Sequence, residues 1–382
     1  MTERVRLLKK HLDALSDDGV FFERAKLLME AEEQYRNASN GKKYVMCLRH
    51  LLDNMTVSIN DGELIVGSVK EELLDEEQER KFAQLCSRYN FKATELFTFD
   101  PLKIIEITDS DERFAPEWFN SYGHCVPDWK RVLRLGFSGI IEEVDKRYGE
   151  GGLTSDQMEF LNNAKLAAQA MNGFIARYAR LAEEMSAAAQ DETEKKRLGG
   201  IAAACASLSS GGAASYREAL QLLWFCMMVL QTVCGARDYA YGRIDQYLYP
   251  YYEKDIAAGN LTKDEAFELL ECMFVKTNEI IGYGWESYKP KRILSANSLQ
   301  YVILSGMDEN GRDMTNEISW LVIEAVNDLQ LKQPTVNIRY HNEIDTKFFE
   351  RAVEITSSGL GYPSYFNDHV VIPALMDNDV SR

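Results

Sequence analysis

The chain has 382 residues, of which 46% are hydrophobic and 27% charged. That is enough for one large domain or two ordinary ones. Asp and Glu total 60 against 43 Lys and Arg, a net charge of −17. Nucleic acid and anionic membrane surfaces both demand clustered cations, so this balance excludes them as partners.

The N-terminal run MTERVRLLKKHLDALSDD reads as an amphipathic charged helix without an apolar signal core, so secretion is not expected. Helical periodicity predicts helices over residues 3–15, 20–36 and 42–54, then a short strand over 63–66. Further helices are predicted over 129–148, 156–189 and 192–207, with glycine-rich breaks at 149–152 and 209–212. The longest apolar run, ALQLLWFCMMVLQTV at 219–233, is shorter than the ~20 residues of a membrane span and carries two glutamines. It reads as a central helix buried on all sides. Three helix starts have the spacing of a capping box: Thr154 with Gln157, Ser215 with Glu218, and Thr262 with Glu265.

Strands are predicted over 299–304, 335–339 and 364–366, alternating with helices over 316–330, 345–358 and 369–376. Alternation of this kind implies parallel pairing and an α/β class for the second part of the chain. The last predicted helix has only just run out where the sequence stops, which is no expected end for a domain. The seven cysteines (Cys47, Cys86, Cys125, Cys205, Cys226, Cys234 and Cys272) are odd in number, scattered, and without a CxxC pair. They suggest neither a disulfide framework nor a zinc site, and a reducing cytoplasm fits them best.

Several motifs stand in a fixed order along these elements: INDGELIVG at 59–67, GHCVPD at 123–128, GRIDQYLYPYYEKD at 242–255, LLEC at 269–272, the strand at 298–306, TNEIS at 315–319, Gln333 with Pro334, and FND at 366–368 running into IPAL at 372–375. In that order they resemble the glycyl radical enzymes, the family of pyruvate formate-lyase and glycerol dehydratase. The resemblance covers essentially the whole chain and favours the dehydratase branch. It implies a barrel of two parallel half-barrels wrapped in helices, of which residues 1–382 would form the N-terminal part. Residues 1–235 would be mainly helical, and 236–382 would belong to the first half-barrel.

In that family a glycine radical near the C-terminus, installed by a separate activating enzyme, oxidises a cysteine on a central loop. The thiyl radical then takes a hydrogen atom from a small substrate. A closed barrel suits this chemistry because it excludes water. The resemblance also implies a homodimer for the complete protein. None of the seven cysteines stands in the loop motif, and the glycine motif is absent; both are expected beyond Arg382. No cofactor or metal is expected on this chain, and it is expected to be inactive alone, as a truncated protein or half of a split enzyme. The alternative is a non-catalytic, stand-alone remnant.

Residue by residue, the resemblance places His124 where dehydratase-type members have a pocket histidine. It would hydrogen-bond or protonate a leaving hydroxyl, unless it is a structural loop histidine. Arg237 and Asp238 stand where polar substrate contacts are presented. Arg237 suits a carboxylate or sulfonate and Asp238 a hydroxyl or amine, which points to an anionic or zwitterionic substrate; or the two charges pair with each other, or with Arg243 and Asp245. Ser298, Leu299 and Gln300 open the strand that lines the pocket. Leu304, Ser305 and Gly306 stand where the resemblance implies a double glycine. Arg243 and Asp245 read as structural, the tyrosines of 247–252 as packing aromatics, and Asn367 and Asp368 as caps of the last helix.

Overall fold

The computed structural model describes residues 1–15, 22–73, 75–78, 125–234, 239–279 and 300–378. The N-terminal part is helical: α1 (Glu3–Asp13), α2 (Phe22–Gln34), α3 (Asn40–Asn54), α4 (Trp129–Gly149), α5 (Ser155–Ala188), α6 (Glu192–Leu208) and α7 (Tyr216–Met228). All but two residues of α7 are buried, and its C-terminal end widens into a π-helical turn, Val229–Val233. This helix packs against α4 and α6, and its Phe225 ring meets Phe174 and Tyr178 of α5. The all-round apolar composition of 219–233 therefore encodes the centre of the core. No described helix is long and apolar enough to cross a membrane.

Next come α8 (Ile244–Ala257), α9 (Lys263–Thr277), β1 (Tyr301–Ser305), α10 (Glu317–Leu329), β2 (Thr335–Tyr340), α11 (Thr346–Ile355), β3 (Ser364–Asn367) and α12 (Asp368–Met376). The three strands form a parallel sheet in the order β1-β2-β3, with Tyr301 opposite Thr335 and Asn337 opposite Ser364. Two further segments extend it. Gly242 forms a parallel bridge with Val302, and Cys125 forms one with Tyr239. The array therefore contains five parallel chain segments, as the alternating pattern implies for its last three.

Capping chemistry agrees with the sequence at two of the three predicted boxes: Thr154 with Gln157 and Thr262 with Glu265 are both reciprocal. At the third, Ser215 accepts the Glu218 N–H, but the Glu218 carboxylate reaches back to the Ala214 N–H instead. The predicted strand at 63–66 does not form. Its backbone is bonded by side chains: Gln221 of α7 exchanges two hydrogen bonds with Val66, 2.8 Å and 2.7 Å long, and Trp224 donates to the Gly67 carbonyl at 3.0 Å. One amide side chain thus supplies what a neighbouring strand would, and these backbone groups are paired without a sheet.

Candidate functional site

Because all five segments run parallel, their N-terminal ends lie on one side. Every predicted site residue immediately precedes one of these segments in the sequence. His124 precedes Cys125, Asp238 precedes Tyr239, and Ser298 to Gln300 precede Tyr301. His124, Arg237, Asp238, Ser298 and Leu299 lie outside the described residues. Their chain neighbours are bonded to one another: the Ala240 N–H donates to the Cys125 carbonyl at 3.1 Å, and Gly242 and Tyr301 are joined at 3.0 Å. Gln300 is described, and it is fully buried.

A layer of hydrogen bonds runs beneath these ends. Gln300 Nε2 donates to Gln231 Oε1 at 2.7 Å, and Gln231 Nε2 donates to the Tyr239 carbonyl at 3.2 Å. The Gln300 N–H donates to Gln333 Oε1 at 3.2 Å. Asn278 then clamps the Gln333 backbone, donating to its carbonyl at 2.7 Å and accepting from its N–H at 3.1 Å. One residue earlier, Thr277 shares a hydrogen bond with the buried Tyr241 hydroxyl at 2.8 Å. Before that, Lys276 pairs with Glu63 and, at 2.9 Å, with Glu279. The last turn of α9 and its cap Asn278 thus anchor together the first motif, Tyr241 just before the third motif, and Gln333. Gln231, Asn278 and Lys276 are absent from the sequence-derived site. The sequence carries part of their signal: a glutamine inside the apolar run 219–233 can be buried only with partners, and the structure supplies them.

The opposite, C-terminal ends of the strands are where open parallel sheets usually bind ligands. Here internal bonds occupy them. Arg339 makes a two-pronged pair with Asp368, 2.8 Å and 2.7 Å long, and Asp368 also accepts the Met307 N–H at 3.1 Å. Asp368 therefore braces β2 rather than capping α12, whose cap is Asn367, accepting from the His369 N–H. Arg243 donates to the Ser305 carbonyl at 2.8 Å, and Asp245 accepts the Ser305 N–H and the Ser319 hydroxyl, each at 2.7 Å. These contacts hold Ser305 at φ 63°, a left-handed conformation suited to glycine. The serine thus takes the glycine-like backbone that the resemblance implies, and its hydroxyl bonds to Thr315 at 2.8 Å. A groove of ≈ 790 Å³ opens on this side, yet its Asp313 already accepts from Thr315, His341 and Asp345. Among the described residues no group of three or more His, Cys, Asp or Glu is placed to hold a metal ion.

Burial pushes the Asp245 carboxyl up to about 6, against the bonds from Ser305 and Ser319 that favour its charge. The folded state therefore holds a proton that the unfolded state releases near 3.8. The sign follows: stability is greatest below the ordinary carboxylate value and falls as pH rises through about 6, by about 3 kcal/mol for this group. An Asp245→Asn variant keeps an acceptor for Ser305 and Ser319 and removes the titration. Between pH 4 and pH 7.5 its urea-unfolding free energy should fall less than the parent's by ~2–3 kcal/mol. Parallel pH profiles for the two proteins would count against this role for Asp245.

Residues 74–382 match the family described as Pyruvate formate lyase-like. The chain belongs to this family, that of the glycyl radical enzymes. It is 26% identical over 420 residues to trans-4-hydroxy-L-proline dehydratase of Clostridioides difficile, covering 98% of this chain and 52% of that one. It is also 26% identical to (2S)-3-sulfopropanediol dehydratase of Klebsiella oxytoca, covering 97% of this chain and 50% of that one. The glycerol-bound B12-independent glycerol dehydratase from Clostridium butyricum superposes with a TM-score of 0.83 at 30% identity, covering all of this chain and 52% of that one. The chain thus spans about half the length of the curated relatives it matches. The expected family and fold class, a helix-rich region with a parallel α/β half-barrel, are those found.

Proposed function

We propose that this chain supplies the N-terminal half of a glycyl radical dehydratase or lyase for a small polar substrate. It would be incompetent alone, because none of its seven cysteines stands in the loop motif that the resemblance implies and its 382 residues hold no matching glycine motif. The observation that carries the reading is that every predicted pocket residue immediately precedes, in sequence, a segment of one parallel array. Three similar proteins named for dehydration of hydroxylated small molecules support it. The described cysteines are all buried except Cys125, which lies in a bridge between two segments.

The other half would have a place to dock. Strand β3 pairs only with β2 among the described residues. Helix α12, which follows it, is apolar yet open: Val370 is 63% exposed, Leu375 47% and Met376 51%. An open strand edge beside an apolar helix is a surface that folded proteins normally cover. In the complete enzyme the radical groups would supply hydrogen-atom abstraction. The residues of this chain would bind and orient: Arg237 a carboxylate or sulfonate, Asp238 a hydroxyl or amine, and His124 would hold the proton given to a leaving hydroxyl. Ser298, Leu299 and Gln300 would form the wall.

The test combines the purified chain with a separately made segment equivalent to the remaining half of the relatives, under anaerobic activation by a radical-generating enzyme. Diols, hydroxy acids, amines and sulfonates are the substrates to screen. The expected outcome is no turnover by the chain alone, and both a glycyl radical signal in electron paramagnetic resonance and product from the mixture. Radical-dependent turnover by the chain alone would overturn the proposal. Neither radical nor product from the mixture would leave the non-catalytic reading in its place.

A further inference from the structure

The buried glutamines above have a direction built into them. A backbone carbonyl can only accept, so the contact with the Tyr239 carbonyl requires Gln231 to present its NH₂ there. The Gln231 carbonyl oxygen must then face Gln300. Gln300 must answer with its own NH₂, because two amide oxygens cannot share a hydrogen bond. Its backbone is held at the same time by Gln333, through its N–H at 3.2 Å, and by the Thr335 N–H on its carbonyl at 3.2 Å. The remaining atom, Gln300 Oε1, is buried and has no hydrogen-bond partner among the described residues. Gln231 itself stands in the π-helical turn Val229–Val233, an uncommon geometry that recurs at functional sites.

We propose that Gln300 is a one-way recognition residue, whose Oε1 accepts a hydrogen bond from a hydroxyl or ammonium group of the ligand, and that Gln231 is the positioning residue that fixes this polarity. The inference rests on the reading above for where the substrate lies and deepens it by naming the chemistry met there. A desolvated acceptor without a partner is unfavourable in the free protein, and a ligand donor relieves it. A carboxylate or sulfonate oxygen placed at the same point would meet a second lone pair. The anionic end of a zwitterionic or sulfonated substrate therefore lies elsewhere, and its hydroxyl or ammonium end faces Gln300. A small polyol satisfies the same rule.

The test uses the full chain with its glutamine side chains labelled with ¹⁵N. The probes are glycerol, 1,2-propanediol and trans-4-hydroxy-L-proline, beside the dimethyl ether of 1,2-propanediol, which can only accept. The donor probes should bind and shift the Gln300 side-chain resonance, and the ether should not. Gln300→Leu should weaken binding of the donor probes by about tenfold or more. Gln231→Met leaves Gln300 in place but frees it to rotate, so the preference for donors over the ether should shrink severalfold while the fold persists. A structural role alone would not move that ratio, and this second variant serves if the leucine variant does not fold. Donor probes that bind Gln300→Leu as well as the parent, or an unchanged donor preference in Gln231→Met, would refute this inference and leave the proposed function standing. If no probe binds the parent, the substrate site assigned to this chain fails, and the inference falls with it.

Discussion

Replacing Lys276 by Met is expected to destabilise the protein by about 3–5 kcal/mol, a large share of the 5–15 kcal/mol that typically holds a domain folded. Lys276 is 3% exposed and Glu63 is 2% exposed, so neither charge has water to fall back on. Burial alone would lower the pKa of this lysine, but the carboxylates of Glu279 and Glu63 outweigh it, and the net shift is upward. A raised lysine value means that the stabilisation is fully present below the ordinary lysine pKa of 10.5 and is lost only as pH rises through the folded value. At neutral pH the whole contribution is in place. With Met at 276, the Glu63 carboxylate keeps, among the described residues, only the Asn60 backbone and side-chain donors, at 2.9 Å and 3.2 Å. Urea unfolding followed by circular dichroism at pH 7 measures the effect. Glu63→Gln combined with Lys276→Met should recover part of the loss, because Glu63→Gln removes the charge that Lys276→Met strands. A loss below ~1 kcal/mol for the single variant would mean that water reaches Glu63.

A second large effect is expected from a single methyl group. A Cβ on Gly212 would stand 2.2 Å from the Arg134 carbonyl oxygen and 2.6 Å from its carbon. Both are backbone atoms, so no side chain can swing aside. The approach is reciprocal: α4 is kinked at Gly136, φ 59°, and a Cβ there would stand 2.1 Å from the Gly211 carbonyl oxygen. The Ala213 N–H to Leu133 carbonyl bond, 2.8 Å, ties the two segments at this crossing. Gly212→Ala must open the crossing and lengthen that bond, at about 3 kcal/mol. Gly149→Ala is the control, since no heavy atom lies within 4 Å of the point its methyl would occupy and its backbone is helical. It should fall within about ±0.5 kcal/mol of the parent. Equal unfolding midpoints for the two variants would show that the crossing tolerates the methyl group.

How much of the molecule is legible in its sequence depends on the range of the interaction. Helix starts set by a local side chain, as at Thr154 and Thr262, are readable because the partners stand three residues apart. The 63–66 segment reads as a strand because Leu64, Ile65 and Val66 form a short apolar run, whereas its actual partner, Gln221, lies 155 residues from Val66 along the chain. The first two segments of the parallel array carry no strand pattern, since each is joined to its neighbour by an isolated bridge. Asp368 reads as a cap because it opens a helix, and only the fold brings Arg339 against it.

The sequence by itself determined the family, through motifs whose order needs no folding to be seen, and the apolar patterning that makes 219–233 the centre of the core. It also determined the residue types available to a pocket. The tertiary structure decided that the segments following those residues start on one side of a sheet, and that strand ends on the far side are engaged by the Arg339–Asp368 and Asp245–Ser305 contacts. It also decided the polarity of Gln300. A glutamine carries a donor and an acceptor of nearly equal shape, and only a fixed carbonyl, here that of Tyr239 acting through Gln231, selects which one faces outward.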